Sequence, residues 1–595
     1  MEKPDRRSVC SRVAEYGGAP ALFINGAPFP AAAYMTYLSE YNDYAAFAGA
    51  GYRLFSLPTL FAGRWINAAV DNPPFHGGIF DKKGSPDFSA PDTSVRRLLE
   101  ACPDAYIFPR LNLSMPLWWI EENPALTDAS GRRELLYSDC FRETAAQMLR
   151  EVIRHIEESD YASHIVGYQL AGGNTEEWFH FDLNGGLCEN ARPFFEAYLR
   201  RTEPDCDFSG LPGLSALSGA GPYHGDGLLR QYLTFANEAA AELICALCGV
   251  AKEETGGRVA VGTFYGYSLE VTSPLWGTHA LRTLLRCPHV DFICSPNSYL
   301  GLREPNADWT EMYPADSVRL HGKLCMQECD VRTHLTRPLY EAAPEYDPGK
   351  RFTAPIWRGL GSREDAVSML RKSFARQLVK GNGFWWFDMW GGWFRDPLIL
   401  RELGEMREIC ADALTKKNRR YAAEFAVFID ENAYARMTDC PLRGAPHAQR
   451  TALGLMGAPY DVYEISDFKE VFRNYKAILF LNDGGTVPVR RAMEACAECG
   501  APYLRLTAEK PQFSPAELRG FCEENGVHLF CRTDDIVYVS PSHLAIHATA
   551  AGEKNVDLGD ARRYRELLTQ NGLCGEGRVL RFAMRANETK LFALT

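Results

Sequence analysis

The stretch IVGYQLAGGNTEEWFHFD, residues 165–182, decides how the chain is read. Its opening IVGYQL is almost continuously apolar, the pattern of a strand buried on both faces in a helix-covered parallel sheet. The run ends at Gly172 and Gly173, and two adjacent acids, Glu176 and Glu177, follow at once, ahead of Trp178 and Phe179. A buried strand that opens through glycines onto carboxylates is a strand exit fit for chemistry.

Seven more runs of this kind flank it: AAAYMT (31–36), YRLFSL (52–57), YIFPRL (106–111), VAVGTF (259–264), VDFIC (290–294), KLCMQ (323–327) and GFWWFD (383–388). Between them lie segments such as SVRRLLEAC, FRETAAQMLREVIRHIEE and EDAVSMLRKSFARQLVKG, whose apolar residues recur at three- and four-residue intervals and predict helices. Alternation of buried strands and helices predicts a (β/α)8 TIM barrel over residues 1–420, with 165–170 as its fourth strand. Ahead of the first strand, Asn25-Gly26 in ALFINGAPFP predicts a hairpin that closes the barrel bottom.

After residue 394 the helical stretch PLILRELGEMREICADAL leads to a basic linker around Lys416, Lys417, Arg419 and Arg420. The strands FAVFI, YKAILFLND and APYLRL, with helical segments between, predict a second α/β domain with a parallel sheet over 421–540. Short extended pieces, LAIHATA, RVLRFAM and TKLFAL, predict a small β-sandwich over 541–595.

Composition narrows the function. At roughly 150 residues per domain, 595 residues exclude a single small binding module. A net charge of -12 argues against a nucleic-acid partner, since phosphate binding needs a basic face. The N-terminus lacks an apolar leader and no uninterrupted apolar run approaches a membrane span, so a cytoplasmic protein without a membrane partner is expected. The 18 cysteines are scattered, and Cys245-x-x-Cys248 sits in a helical segment without a second Cys/His pair, so neither metal nor other cofactor is expected. All eleven tryptophans lie at or before residue 393, at the predicted end of the barrel.

The chemistry is sought at strand exits. The fourth carries Glu176 and Glu177; the seventh, KLCMQECDVRTH, carries Glu328. A proton donor and a nucleophile, both carboxyls, are what retaining hydrolysis of a glycosidic bond requires: the departing alkoxide needs a proton and the oxocarbenium-like centre an anion. Each acid taken alone reads equally as a helix cap or a salt-bridge partner.

Several segments together resemble one family. PRLNLSMPLWWIEENP, VGYQLAGGNTEEW, VGTFYGY, SPNSY, ECDVRTH and FWWFDMWGGWF occur at strands three to eight. In this order they resemble the clan A glycoside hydrolases, and among them the family 42 β-galactosidase-like proteins. The likeness covers nearly the whole chain: EFAVFIDENA, GAPYDVYEISDF and YKAILFLND resemble that family's flavodoxin-like trimerisation domain, and the tail from SPSHLAIHATA its C-terminal β-domain. It implies a homotrimer that acts on carbohydrate and needs no cofactor, although the cysteine zinc cluster frequent in the family has no counterpart here.

The resemblance implies Glu177 as acid/base and Glu328 as nucleophile. Glu176 stands where the clan has an Asn that binds the sugar 2-hydroxyl, which leaves Glu176 as an alternative acid/base and the sugar open among β-galactoside, β-mannoside and β-glucoside. A carbohydrate-binding barrel without turnover is the reading from another class. Trp178 and Phe179 are expected to raise the pKa of Glu177, and Tyr299 and Arg332 to keep Glu328 ionised. Arg110, Asn174, Asn297, Tyr299 and Arg332 are the polar candidates for substrate binding; Arg110, Asn297 and Tyr299 fit a buried polar network as well. Trp385 and Trp386 point opposite ways by strand alternation, and Trp386 and Trp393 are taken as the sugar-stacking candidates. Asp388 and His334 are further polar residues at strand exits.

Overall fold

The computed structural model describes residues 9–64, 77–128, 131, 133–173, 175–179, 187–205, 211, 213–214, 227–299, 303–421, 423–436 and 441–595. It begins with an antiparallel sheet of β1 (Ser11–Tyr16), β2 (Ala19–Ile24) and β3 (Ala27–Phe29). The turn between β2 and β3 is made by Asn25 and Gly26 at φ 51° and 81°, the left-handed pair that a tight hairpin needs. The Ser11 N–H donates to the Arg258 carbonyl (3.0 Å) and the Ala260 N–H to the Ser11 hydroxyl (2.8 Å). The hairpin therefore sits under the N-terminal ends of the barrel strands.

Eight parallel strands close the barrel: β4 (Ala32–Met35), β5 (Leu54–Leu60), β6 (Tyr106–Asn112), β7 (Gly167–Ala171), β8 (Ala260–Phe264), β9 (Phe292–Pro296), β10 (Leu324–Cys329) and β11 (Gly383–Phe387). All eight fall on the apolar runs, because strands covered by helices outside and filled by side chains inside leave no position for a polar alternation. The helices bury one stripe each. In Asp139–Glu158 the Ser138 hydroxyl caps the first turn by accepting from the Phe141 N–H, and Ala145, Leu149, Val152 and Ile156 form the buried face. The helix Gly227–Glu254 is long and apolar enough to cross a membrane, yet more than half of its apolar window, 56%, is buried against the rest of the protein.

The second domain is a four-stranded parallel sheet, β12 (Phe425–Ile429), β13 (Tyr460–Glu464), β14 (Ala477–Phe480) and β15 (Tyr503–Arg505), in the order β13-β12-β14-β15. Each face carries its own core, Val427 and Leu479 on one side and Phe428 and Phe480 on the other. The C-terminal β-structure is one bonded antiparallel sheet of β16 (Ile536–Val539), β17 (His543–His547), β18 (Gly552–Leu567), β19 (Cys574–Met584) and β20 (Thr589–Leu594). Its second layer is supplied by the barrel: Ile536, Tyr538, Ala545 and Leu591 join the barrel core, while Val537, Leu544, Ile546 and Phe592 form a separate cluster on the opposite face.

Asp308, in the loop after β9, ties the three parts together. It accepts from the Tyr460 hydroxyl at 3.0 Å and the Tyr538 hydroxyl at 2.6 Å, and pairs with Arg376 at 3.1 Å.

Candidate active site

The C-terminal ends of β6, β7, β10 and β11 bring one arginine and two glutamates into contact, with Glu177 in the loop beside them. Arg110 on β6 is buried, with its Nη1 3.3 Å from Glu176 Oε2 and its Nη2 3.1 Å from Glu328 Oε2. Its Nε donates to Gln169 of β7 at 3.3 Å. Phe264 and Trp385 lie 4.8 and 5.2 Å from the guanidinium carbon, ring faces that hold a cation without competing for its N–H groups. Burial opposes its charge, but Glu328 and Glu176 outweigh this and raise its pKa.

Glu176 is saturated. Its Oε2 accepts from the Tyr37 hydroxyl at 2.7 Å as well as from Arg110, and its Oε1 from Asn112 Nδ2 at 3.3 Å. The side chain has no exposed surface. Glu177, one residue on, is half-buried and turned elsewhere: Thr175 Oγ1 donates to its Oε2 at 2.5 Å, and Tyr267 stands beside it. Burial is the largest influence on it; with the Glu328 charge it outweighs the Thr175 bond and pushes the pKa up to about 8.

Adjacent acids can differ this much because the backbone here is folded tightly. Thr175, Glu176 and Trp178 have φ of 55°, 67° and 59°, left-handed values rare for residues with a Cβ. The loop returns onto the strand end through Trp178 N–H to Gly172 O, 2.7 Å. A Cβ at Gly172 would stand 2.7 Å from the Trp178 ring, so the glycine gives the indole its seat. Trp178 Nε1 then donates to Thr263 at 2.9 Å. Phe179 packs edge-on to Tyr267 with centroids 5.0 Å apart.

Glu328, near the end of β10, accepts from Arg110 and, at 3.2 Å, from Trp385 Nε1. Burial raises its pKa, and Arg110 opposes the rise. The donors expected from sequence do not reach it. The Tyr299 hydroxyl donates to Asp330 Oδ2 at 2.9 Å, and Arg332 pairs with Asp330 Oδ1. Asp330 follows Glu328 by two residues and, set just past the strand, collects the donors of the β9 and β10 loops. Asn297 is tied to the nucleophile candidate through the backbone, its N–H donating to Glu328 O at 3.1 Å, while its Nδ2 donates to Trp309 O.

Trp385, and not the expected Trp386, faces the lumen. Glu328 of β10 pairs in register with Trp385 of β11, and residues opposite one another in a parallel pair share a face, so Trp385 shares the lumen with Glu328. Trp386 points outward, donating from Nε1 to the Tyr52 hydroxyl at 2.8 Å beneath the helices. Trp393 is buried beside Arg332, whose guanidinium carbon lies 4.6 Å from its ring centroid. Asp388 holds the β11 loop, accepting from the Tyr34 hydroxyl at 2.8 Å and the Gly392 and Trp393 N–H groups. His334 faces Asp396 at 3.5 Å. Asn174 lies outside the described residues. Tyr37, Asn112, Tyr267, Arg303 and Trp385 are site residues that the sequence does not single out; only Asn112, two residues from Arg110 on the same strand face, carries a local signal.

A closed (β/α)8 barrel with carboxyls at the exits of its fourth and seventh strands, followed by a parallel α/β domain and a C-terminal antiparallel sheet, has the fold of the GH42 β-galactosidases over about 95% of the chain. Three solved structures show the likeness. The β-galactosidase from Bacillus circulans sp. alkalophilus shares 14% identity over 95% of this chain and 98% of its own, with a TM-score of 0.64. A GH42 β-galactosidase from G. stearothermophilus shares 10% over 94% and 98%, at 0.62. The GH42 exo-carrageenase from Bacteroides ovatus shares 13% over 98% of this chain and 84% of its own, also at 0.62. No family model and no curated protein matches the sequence.

Proposed function

We propose that the protein is a retaining exo-β-glycosidase, most like a β-galactosidase, with Glu177 as acid/base and Glu328 as nucleophile. The observation that carries this reading is the contrast between the two carboxyls. Glu177 is protonated at neutral pH and retains contact with solvent, so it has a proton to give to a departing alkoxide. Glu328 is held by a guanidinium and an indole N–H, donors that leave its second oxygen to attack an anomeric carbon. Once the glycosyl–Glu328 ester has formed, deprotonated Glu177 takes a proton from the incoming water, and the ester is hydrolysed with net retention. Glu176 is a positioning residue: its carboxylate fixes Arg110, and Arg110 fixes Glu328.

A second reading, the same mechanism on a β-mannoside or β-glucoside, is favoured by the state of Glu176. Its oxygens are taken by Tyr37, Asn112 and Arg110, so this position offers no amide donor to a 2-hydroxyl. Homotrimeric assembly and a cytoplasmic location go with the main reading and are open to gel filtration with light scattering and to fractionation.

Nitrophenyl β-galactoside, β-mannoside, β-glucoside and β-fucoside are the substrates to screen. The expected result is turnover of at least one, lost by more than about a thousandfold in Glu328→Gln, and in Glu177→Gln a rate on an activated aryl glycoside that azide restores with formation of the β-glycosyl azide. If no sugar gives a rate that Glu328→Gln removes, the barrel is a binding protein.

A further inference from the structure

Beside Glu328 the barrel mouth holds two more arginines that neither carboxyl of the mechanism uses. Arg303, in the loop after β9, donates from Nη2 to Asp330 Oδ2 at 2.7 Å and stacks on Tyr299, 3.7 Å from guanidinium carbon to ring centroid. Arg332, after β10, is buried; it pairs with the other oxygen of Asp330, donates from Nε to the Ile356 carbonyl at 3.0 Å, and lies between the rings of Trp357 and Trp393 at 5.3 and 4.6 Å. One carboxylate thus joins two guanidiniums.

Their remaining donors are buried and empty. Arg303 Nε and Nη1, Arg332 Nη2 and Trp393 Nε1 have no hydrogen-bond partner among the described residues. A buried donor without an acceptor costs free energy, and such groups in a folded protein ask for a ligand or water. The two cations also repel: burial and then Arg303 lower the pKa of Arg332 well below its ordinary value, and burial lowers that of Arg303. Net charge alone does not account for them, since Arg110, Arg303 and Arg332 are matched by Glu176, Glu328 and Asp330. What is unmatched is chiefly the donors, four nitrogens against Asp330 Oδ1, which carries the Arg332 ion pair but no hydrogen bond.

A lining in which donors outnumber acceptors selects a group that only accepts. A neutral sugar hydroxyl would bring a proton of its own, and both oxygens of Asp330, the acceptor at hand, are already engaged. A sulfate ester or a carboxylate brings acceptors alone, and guanidinium N–H groups suit both. Asp330, which both arginines hold, lies two residues past Glu328 at the exit of the same strand, so the ligand of this cluster adjoins the reacting sugar.

We infer that Arg303 and Arg332, with the Trp393 N–H, form a subsite for an oxyanion carried by the sugar that meets Glu328, so that the preferred substrate is an anionic glycoside. This deepens the glycosidase reading and rests on it for turnover, but not for binding.

Two measurements separate the two ideas. Nitrophenyl β-galactoside, its monosulfated forms and nitrophenyl β-galacturonide are compared as substrates of the full chain. The expected kcat/KM is at least about a hundredfold higher for one anionic form than for the neutral sugar, and this ratio falls at least tenfold in Arg303→Met and in Arg332→Met, with Arg332→Lys intermediate; sulfate against uronate tells which oxyanion is meant. Calorimetric binding of the same sugars to Glu328→Gln is the second, and does not need turnover. Tighter binding of an anionic sugar, weakened by Arg303→Met, upholds the subsite even if no glycoside is cleaved. Equal or better turnover and binding of the neutral sugar, or a ratio that survives both methionine variants with their melting profiles intact, overturns it.

Discussion

Replacing Glu177 with Gln should stabilise the protein, by an amount that grows with pH. The carboxyl titrates at about 8 in the folded chain against an ordinary 4.5. For an acid whose folded pKa is raised, the unfolded chain gives up its proton first; between 4.5 and 8 it binds fewer protons than the native state, and stability falls as pH rises through that window, then levels off. At about 1.36 kcal/mol per pH unit the cost is about 3 kcal/mol at pH 7 and about 5 kcal/mol above pH 8, upper bounds because Glu177 keeps some contact with screening solvent. Gln is neutral throughout, fills the same space and can still accept from Thr175. The assay is thermal unfolding of both proteins at pH 5, 7 and 8.5. For a barrel this large the shift is roughly 2 °C or less per kcal/mol, so the variant should melt within about a degree of the parent at pH 5 and several degrees higher at pH 8.5. A gap independent of pH, or a variant that melts lower at pH 8.5, would mean that Glu177 is ionised and well partnered in the native state, and the assignment of the acid would fail.

Three further outcomes follow from the geometry. The pH profile of kcat/KM on an unactivated glycoside should fall tenfold per unit above about pH 8, where Glu177 loses its proton, and Glu176→Gln should keep that limb while lowering the rate. Gly172→Ala puts a Cβ 2.7 Å from the Trp178 ring, which should cost about 1–3 kcal/mol in a melt and, by displacing the loop that carries both acids, at least about tenfold in kcat. Trp385→Phe, which removes an N–H from Glu328, should lower kcat at nearly unchanged melting temperature; Trp386→Phe, which removes an N–H from Tyr52, should do the reverse. Parallel turnover and melting series on the two variants distinguish these outcomes.

How much the sequence told depends on what burial writes into it. The eight barrel strands were legible because each is covered on both faces and most positions are apolar, the polar exceptions such as Arg110, Gln169 and Glu328 pointing into the lumen near the strand exits. The edge strand β13, YDVYE, yielded no such run of its own: Asp461 pairs with Lys380 of a barrel helix at 3.2 Å, so its charge is spent on the contact between domains. The same uniformity that reveals a strand hides its facing. GFWWF has no polar–apolar alternation, so only its register with Glu328 says which indole enters the lumen. The settings of Glu176 and Glu177 were illegible for another reason: a left-handed turn separates neighbours that any regular spacing would treat alike.

The donors were the least legible part, and their true arrangement changes the chemistry. Tyr299 and Arg332 were expected on Glu328 because it was read as the acid that governs the seventh strand's exit. Asp330 lies two residues beyond and takes both. Glu328 is then left to a cation from the third strand, and that cation is shared with Glu176. The consequence is that Glu176 and Glu328 compete for one guanidinium. The Glu176 charge raises the Glu328 pKa while Arg110 lowers it, so removing the charge at Glu176 should leave Arg110 wholly to Glu328 and make that carboxyl more acidic and less basic. On the proposed mechanism Glu176 thus acts on Glu328 through the arginine between them, and Glu176→Gln is expected to alter the strength of attack and the recognition of the sugar together.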